Sequence, residues 1–320
     1  MNTLSENRVF SVPMMYHPSH DVLDLTEAEG WYQRVFGSAS ASLASLIAKL
    51  PPRPGSGYPP NYSTFTLIGD VLMDTIDPTR YVIDGRQRLP TVKKPHLRLI
   101  SWYIEGMKEA CRELRRHGIR VINQLDEVIE GDGVPTAYGS DMPLLYTLPE
   151  DTGLRYSFSP PAYVKASDPR SAPGWVLPSR ASTHPLGLKR CSHHTLLTSL
   201  PERALKLLRD VLGGTVVHTG RNELLGATST YVHLAGSTVE CAVPDRDTRA
   251  YTDWETRAPN DTYHSITWEV ASLERAERHL AAQGVSIQKR SSDTIITDPE
   301  TSLGIPWGFS TTLVSGDPRA

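Results

Sequence analysis

The chain has 320 residues, room for two domains of ordinary size, and its 39% hydrophobic and 22% charged content is the balance of a soluble globular protein. A net charge of −3 leaves no electrostatic footprint for nucleic acid or an anionic membrane, and no apolar run approaches the roughly 18 residues of a membrane span. The first eight residues lack the charged-then-apolar pattern of a signal peptide, and three cysteines without paired metal-type spacing fit a reducing compartment, so a cytoplasmic location is expected.

The first predicted unit runs over about 10–80. It opens with a polar strand, His17-Pro-Ser-His-Asp-Val-Leu-Asp-Leu25, and continues into an amphipathic helix, Ala28 to Phe36, closed by Gly37. An insertion from Ser38 to Tyr62 follows. Its Ser/Ala-rich half predicts a short helix and its Pro-rich half a loop, either a surface excursion or a lid. The second unit, about 93–160, has the strand Ile100-Ser-Trp-Tyr-Ile and a helix from Lys108 to His117 that stops at Gly118. A segment rich in Pro and Ser then predicts a linker over 161–187, dividing the chain into domains at 1–160 and 188–320. The third unit, 188–245, repeats the first at an offset of 176: His17 falls on His193, Ala28 on Ala204, Val35 on Val211 and Gly37 on Gly213. The fourth, 260–313, repeats the second, with Ile266-Thr-Trp-Glu-Val and a helix from Glu274 to Gln283 that stops at Gly284. All four read as strand–helix–strand–strand–strand.

Four such units, with histidine opening the first strand and an acid in the fourth, resemble the vicinal oxygen chelate superfamily of glyoxalase I, methylmalonyl-CoA epimerase, extradiol dioxygenases and bleomycin-resistance proteins. The resemblance covers the chain outside the insertion and linker, and the stretch Trp31-Tyr-Gln-Arg-Val-Phe-Gly37 is its most specific part. It implies an α+β fold in which four βαβββ modules pair into two glyoxalase-like half-barrel domains, each able to hold a metal inside.

Side chains alternate along a strand, so one anchor sets the rest. With His193 facing the cavity, Thr195 shares its face and His194 turns toward the helix; Glu240 and Asp74 each stand four residues before a proline, Pro244 and Pro78. The resemblance implies that His193 with Glu240, and His17 with Asp74, are metal ligands. An imidazole with a carboxylate suits a divalent ion such as Fe, Mn, Zn or Ni. The family's other two ligand positions hold Leu99 and Ser157 in the first half, Ser265 and Gly308 in the second, where no strong donor stands. A third ligand is expected either from His264, one residue from Ser265, if a one-residue bulge turns it inward, or from Glu269 on the inner face. Ser265, Thr267 and Glu269 are expected on the inner face of the fourth unit, and Leu99, Ser101 and Tyr103 on that of the second. Glu269, with Glu240, is then the candidate general base, and Thr195, Ser265, Thr267 and Tyr103 the candidate substrate contacts. The second half, which keeps these groups together, is expected to be the principal site.

Three functions remain open at this stage. One is a metal-assisted lyase or isomerase of the glyoxalase–epimerase type, acting on a small carbonyl or enolisable substrate, aromatic or not. Another is an extradiol ring-cleaving dioxygenase; against it, Gly308 replaces a ligand and residues 285–303 hold no His or Tyr. The third is a metal-free small-molecule binding protein. All three expect a small-molecule partner and neither nucleic acid nor membrane; a homodimer is not required.

Overall fold

The computed structural model describes residues 9–48, 59–163, 168–178 and 183–320, and most of the Pro-rich half of the insertion, residues 51–58, lies outside them. Among these residues no helix is long and apolar enough to cross a membrane.

The first unit contains β1 (Met15–Asp21), α1 (Leu25–Phe36), the short β2 (Ser40–Ser42) and α2 (Leu43–Ile47) of the insertion, β3 (Ser63–Ile68) and β4 (Val71–Ile76). A small hairpin of β5 (Val82–Ile83) and β6 (Arg86–Gln87) leads to the second unit: β7 (His96–Tyr103), α3 (Met107–Arg116), β8 (Val121–Ile122), β9 (Leu145–Thr147), the single turn α4 (Pro149–Thr152) and β10 (Tyr156–Ser159). The third unit comprises β11 (Leu188–Leu197), α5 (Pro201–Leu205), β12 (Thr215–Asn222), β13 (Ala227–Leu234) and β14 (Ser237–Pro244), followed by α6 (Arg249–Glu255). The fourth comprises β15 (Thr262–Val270), α7 (Leu273–Ala282), β16 (Ile287–Arg290), β17 (Thr294–Thr297) and β18 (Gly308–Ser310).

Each helix ends where its sequence allows. Asp24 caps α1 by accepting from Glu27 N–H at 3.0 Å, and Gly37, at φ 62°, closes it in the left-handed region that costs glycine nothing. In the third unit Pro201 opens α5 in its first turn, and the chain then widens into a π-helical stretch over Lys206–Val211 before Gly213.

Two eight-stranded sheets result, in the orders β2-β3-β4-β1-β7-β10-β9-β8 and β12-β13-β14-β11-β15-β18-β17-β16. The first and second units share sheet one, and the third and fourth share sheet two; β1 runs antiparallel to β7, as β11 does to β15. The fourfold repeat is thus four βαβββ modules paired into two half-barrels.

The helices and the outer faces of both sheets meet in one core. Trp31 of α1 stacks on Trp307 at 5.8 Å, Phe36 packs on Trp268 at 5.6 Å, and Trp102 and Trp268, matched in the repeat, are both fully buried there. His20 faces α1, with Nδ1 2.6 Å from Tyr32 OH, and its Nε2 meets Leu303 O of the other half at 3.0 Å. His17 and His193, of opposite parity, lie on the inner faces away from this core. Within 161–187 the chain is anchored: Arg170 and Asp168 form a buried ion pair that also reaches the carbonyls of Asp70 and Tyr16.

Candidate functional site

Sheet one carries a cavity of about 630 Å³, within the range of small-ligand sites. Its polar floor comes from four neighbouring strands: Asp74 on β4, His17 and Ser19 on β1, Arg98 and Ser101 on β7, and Ser157 on β10. Register places them: Ser19 is opposite Asp74, and Ser101 lies between His17 and Ser157. Leu43 and Leu46 of α2, with Tyr62, Phe65, Ile76 and Tyr81, make an apolar wall. The described helix of the insertion therefore covers the site.

Asp74 is buried yet sparsely bonded. Oδ2 accepts from Ser19 Oγ at a long 3.3 Å and lies 3.8 Å from His17 Nδ1, while Oδ1 has no hydrogen-bond partner among the described residues. Ser63 Oγ, near enough to favour the anion, makes no bond of proper geometry with it. Burial dominates and pushes the Asp74 carboxyl up to about 7, against the pull of Arg98 and the two serines. Burial, with the charges of Arg170 and Arg98, lowers His17 to about 3, so the imidazole is neutral at physiological pH.

Arg98 was not singled out in the sequence. Its Nε donates to Asp21 Oδ1 at 2.9 Å, and no acceptor meets its Nη groups among the described residues. It is the extra residue of a bulge: Leu99 pairs with Ser19 and Leu97 with His20, which leaves Arg98 unpaired in the ladder. The signal was in the repeat, because Arg98 aligns with His264, itself the extra residue between Ser265 (opposite Thr195) and Tyr263 (opposite Leu196).

Sheet two brings His193 and Glu240 together, with Nε2 3.6 Å from Oε2. Here the carboxylate is saturated. Oε1 accepts from Asn222 (2.8 Å), Ser229 (2.7 Å) and Tyr231 (2.7 Å), and Oε2 from Thr195 (2.6 Å). Burial would raise the Glu240 carboxyl, but the neighbouring His193 and these donors outweigh it and hold it below the ordinary value; burial lowers His193, against the pull of Glu240. Along the same face Leu197, Ala227 and Ala242 pack against Ala250 of α6, with Trp254 beside them. Apolar packing by α6 thus covers this part of the inner face, whereas Ile76, the sheet-one counterpart of Ala242, lines the cavity.

The remaining expected residues are dispersed. The bulge predicted at His264 is present, but the ring turns to Asp253 of α6, Nδ1 to Oδ2 2.6 Å, and lines a groove between the sheets with His96 and Arg257. Glu269 is held by Lys189 at 2.8 Å and Arg190 at 3.4 Å, so its charge is spent on a salt-bridge pair rather than aimed at Glu240. Tyr103 is fully buried; its ring stacks on Tyr16 at 4.4 Å and its hydroxyl donates to Asp168 at 3.1 Å, so it packs behind the cavity and does not line it. Ser265 and Thr267 lie opposite Thr195 and His193 in the ladder. Gly308 has a physical reason: a Cβ there would stand 2.3 Å from Thr267 Oγ1.

The donor set does not fit a tightly held divalent ion. Among the described residues no group of three or more His, Cys, Asp or Glu side chains is placed to share one. In sheet one Leu99 and Ser157 stand where further ligands would be needed, and guanidinium groups crowd His17 and Asp74. In sheet two four protein donors already fill the lone pairs of Glu240.

No family model and no curated protein matches the chain by sequence. Solved structures do match. A triple mutant of 4-hydroxymandelate synthase from Streptomyces coelicolor is 11% identical, with a TM-score of 0.59 over 96% of this chain and 95% of its own. The chain has the vicinal oxygen chelate fold. A Mn(II)-bound glyoxalase from Novosphingobium aromaticivorans (10% identity, TM-score 0.56, 98% of this chain and 87% of that one) shares this fold. So does the 2,3-dioxygenase LapB from Pseudomonas sp. KL28 (13%, 0.55, 97% and 96%). The vicinal oxygen chelate fold hosts different reactions in these proteins, so the reaction here has to be read from the site.

Proposed function

We propose that the cavity of sheet one is the working site and that this chain is a lyase or isomerase that moves a proton on a small carbonyl compound. The observation that carries this reading is Asp74: buried, lining the cavity, and holding one long hydrogen bond where its counterpart Glu240 holds four short ones. A carboxylate so sparsely bonded retains basicity, and a value of about 7 matches it to proton transfer near neutral pH.

In the reaction, the Asp74 carboxylate takes the proton from the carbon beside the carbonyl. The C–H electron pair shifts into the carbon–carbon bond, and the carbonyl oxygen becomes an enolate. Ser101, Ser157 and neutral His17, which retains one N–H, are the donors at hand for that oxygen. The Asp74 proton then returns to the same or a neighbouring carbon, or an adjacent leaving group departs. No step runs through a metal. The reading keeps the carbonyl chemistry expected from the sequence, drops its ion, and moves the site from the second half to the first.

The test is hydrogen–deuterium exchange at carbons next to carbonyls, followed by NMR in deuterated buffer over a panel of small ketones, aldehydes and 2-oxo acids. Wild type should catalyse exchange on a member of the panel, and Asp74→Asn should lose it. Exchange that survives Asp74→Asn and falls with Glu240→Gln would return the site to sheet two.

A further inference from the structure

The cavity's charges and walls say more about what enters it, and this step rests on the reading of sheet one as the working site. Arg98 is held at Nε by Asp21, which His96 approaches at 3.9 Å from the groove side. The Nη groups of Arg98 have no acceptor among the described residues, and Arg98 lines the cavity. A guanidinium fixed at one edge and open at the other is pre-organised for a planar two-oxygen anion. Two further guanidiniums line the cavity, Arg88 and Arg155, and both lean on one carboxylate, Asp126, at 3.7 Å and 2.5 Å. Of the carboxylates these guanidiniums face, Asp21 and Asp126 are paired with them, while Asp74, the third, makes no ion pair with any of the three among the described residues. Against this floor stands the wall of Phe65, Tyr62, Leu46 and Ile76, which suits the face of a ring.

We infer that Arg98 is the anion anchor of this cavity and that the substrate is a ring-bearing carboxylate, its carboxylate on the Arg98 Nη groups and its ring against the wall of Phe65 and Leu46. The volume of about 630 Å³ accommodates one ring and a short acidic chain. Arg98 borders both the cavity and the groove between the sheets, and Asp21, on the groove side, orients its fork through Nε.

A matched pair of inert probes tests the inference: 3-phenylpropanoate and 3-phenylpropanamide, titrated calorimetrically into the full chain. They share the ring and differ in charge, and neither needs turnover to bind. Wild type should bind the carboxylate at least about 10-fold more tightly than the amide, the scale of a charge-assisted bond. Arg98→Gln should abolish that preference. Arg98→Lys keeps the charge for Asp21 but not the fork, and should retain only part of it, a second variant in case the Gln protein does not fold. Equal affinity of wild type for both probes would overturn the inference without any variant. So would a folded Arg98→Gln protein with its preference intact. The exchange assay is separate: a clear carboxylate preference without any C–H exchange would uphold the anchor and sink the proton-transfer reading, and the reverse result would do the opposite.

Discussion

Sheets one and two are built on the same plan, and they differ at matched positions in ways that sort one from the other. Asp21 of β1 corresponds to Leu197 of β11, and Arg98 of β7 to His264 of β15. In sheet one the first pair is an ion pair of Asp21 with Arg98 at 2.9 Å, which holds a charge at the cavity floor. In sheet two Leu197 takes the packing of α6, and His264 turns away to Asp253 of that helix. The same bulge therefore serves two ends. Where an acid stands beside it, a cation is kept on the inner side; where a leucine stands there, a helix closes over it. Asp74 and Glu240 follow suit, the one sparsely bonded and near its titration point, the other locked by four donors. The repeat supplies two copies of one arrangement, and only in sheet one is the carboxylate left short of donors among the described residues.

The contrast breaks most readily at Asp74. Asp74→Asn should lower the exchange rate by about 10²- to 10⁴-fold, the usual contribution of a general base. The limb of the wild-type rate should rise with pH through about 7 as Asp74 ionises. A rate that falls over that interval would mean that the protonated acid is the working form. Chelator treatment should leave exchange unchanged, and loss that is restored by a divalent ion would contradict the donor-set argument.

Stability should carry the same signature with a smaller effect. A carboxyl raised in the folded state binds its proton more tightly there than in the unfolded chain. Its contribution is fully favourable below the ordinary carboxylate range near 4 and is lost as pH rises to about 7. At about 1.4 kcal/mol per pH unit the loss is at most about 4 kcal/mol. Urea midpoints of wild type and Asp74→Asn, compared at pH 4.5 and pH 8, should therefore converge at the low pH and separate at the high one, with the variant the more stable. Subtracting the two proteins removes the other buried acids from the comparison. Glu240→Gln should do the reverse: about 1–3 kcal/mol of destabilisation near neutral pH, because four donors lose an anion, with exchange intact.

The repeat, the parity of the strands and the glycine stops point to four units, to His17 and His193 on the face of Asp74 and Glu240, and to His20 and His194 on the other face, where His20 meets Tyr32 of α1 and His194 meets Tyr263 of β15. Periodicity carries that information because burial on one face forces it. What it does not carry is what covers a face. Nothing in the spacing of β11 and β14 announces that α6, a later segment, packs on Leu197 and Ala242, so the inner face of sheet two reads as open when only its strands are considered. Glu269 and Tyr103 have inner-face positions on paper, and Lys189, Arg190 and Asp168 claim them from elsewhere in the chain. Arg98 was overlooked because arginine is not a member of the family's ligand set, although its alignment with His264 marked the position.

His264 provides the smallest and most discriminating comparison. As a metal ligand it would be indispensable. In the structure its ring, 12% exposed, is hydrogen-bonded to Asp253, a carboxylate 42% exposed, and the pair ties β15 to α6. A single hydrogen bond of this kind contributes about 0.5–1.5 kcal/mol. His264→Ala should therefore shift the unfolding midpoint slightly and leave exchange and the carboxylate preference untouched. The double variant with Asp253→Asn should cost no more than the larger single change plus a few tenths of a kcal/mol, since both substitutions remove one contact. If His264→Ala instead cut exchange as deeply as Asp74→Asn, the bulge of sheet two would be aimed at chemistry after all, and α6 would have to be read as the cover of a working site instead of the packing that replaced one.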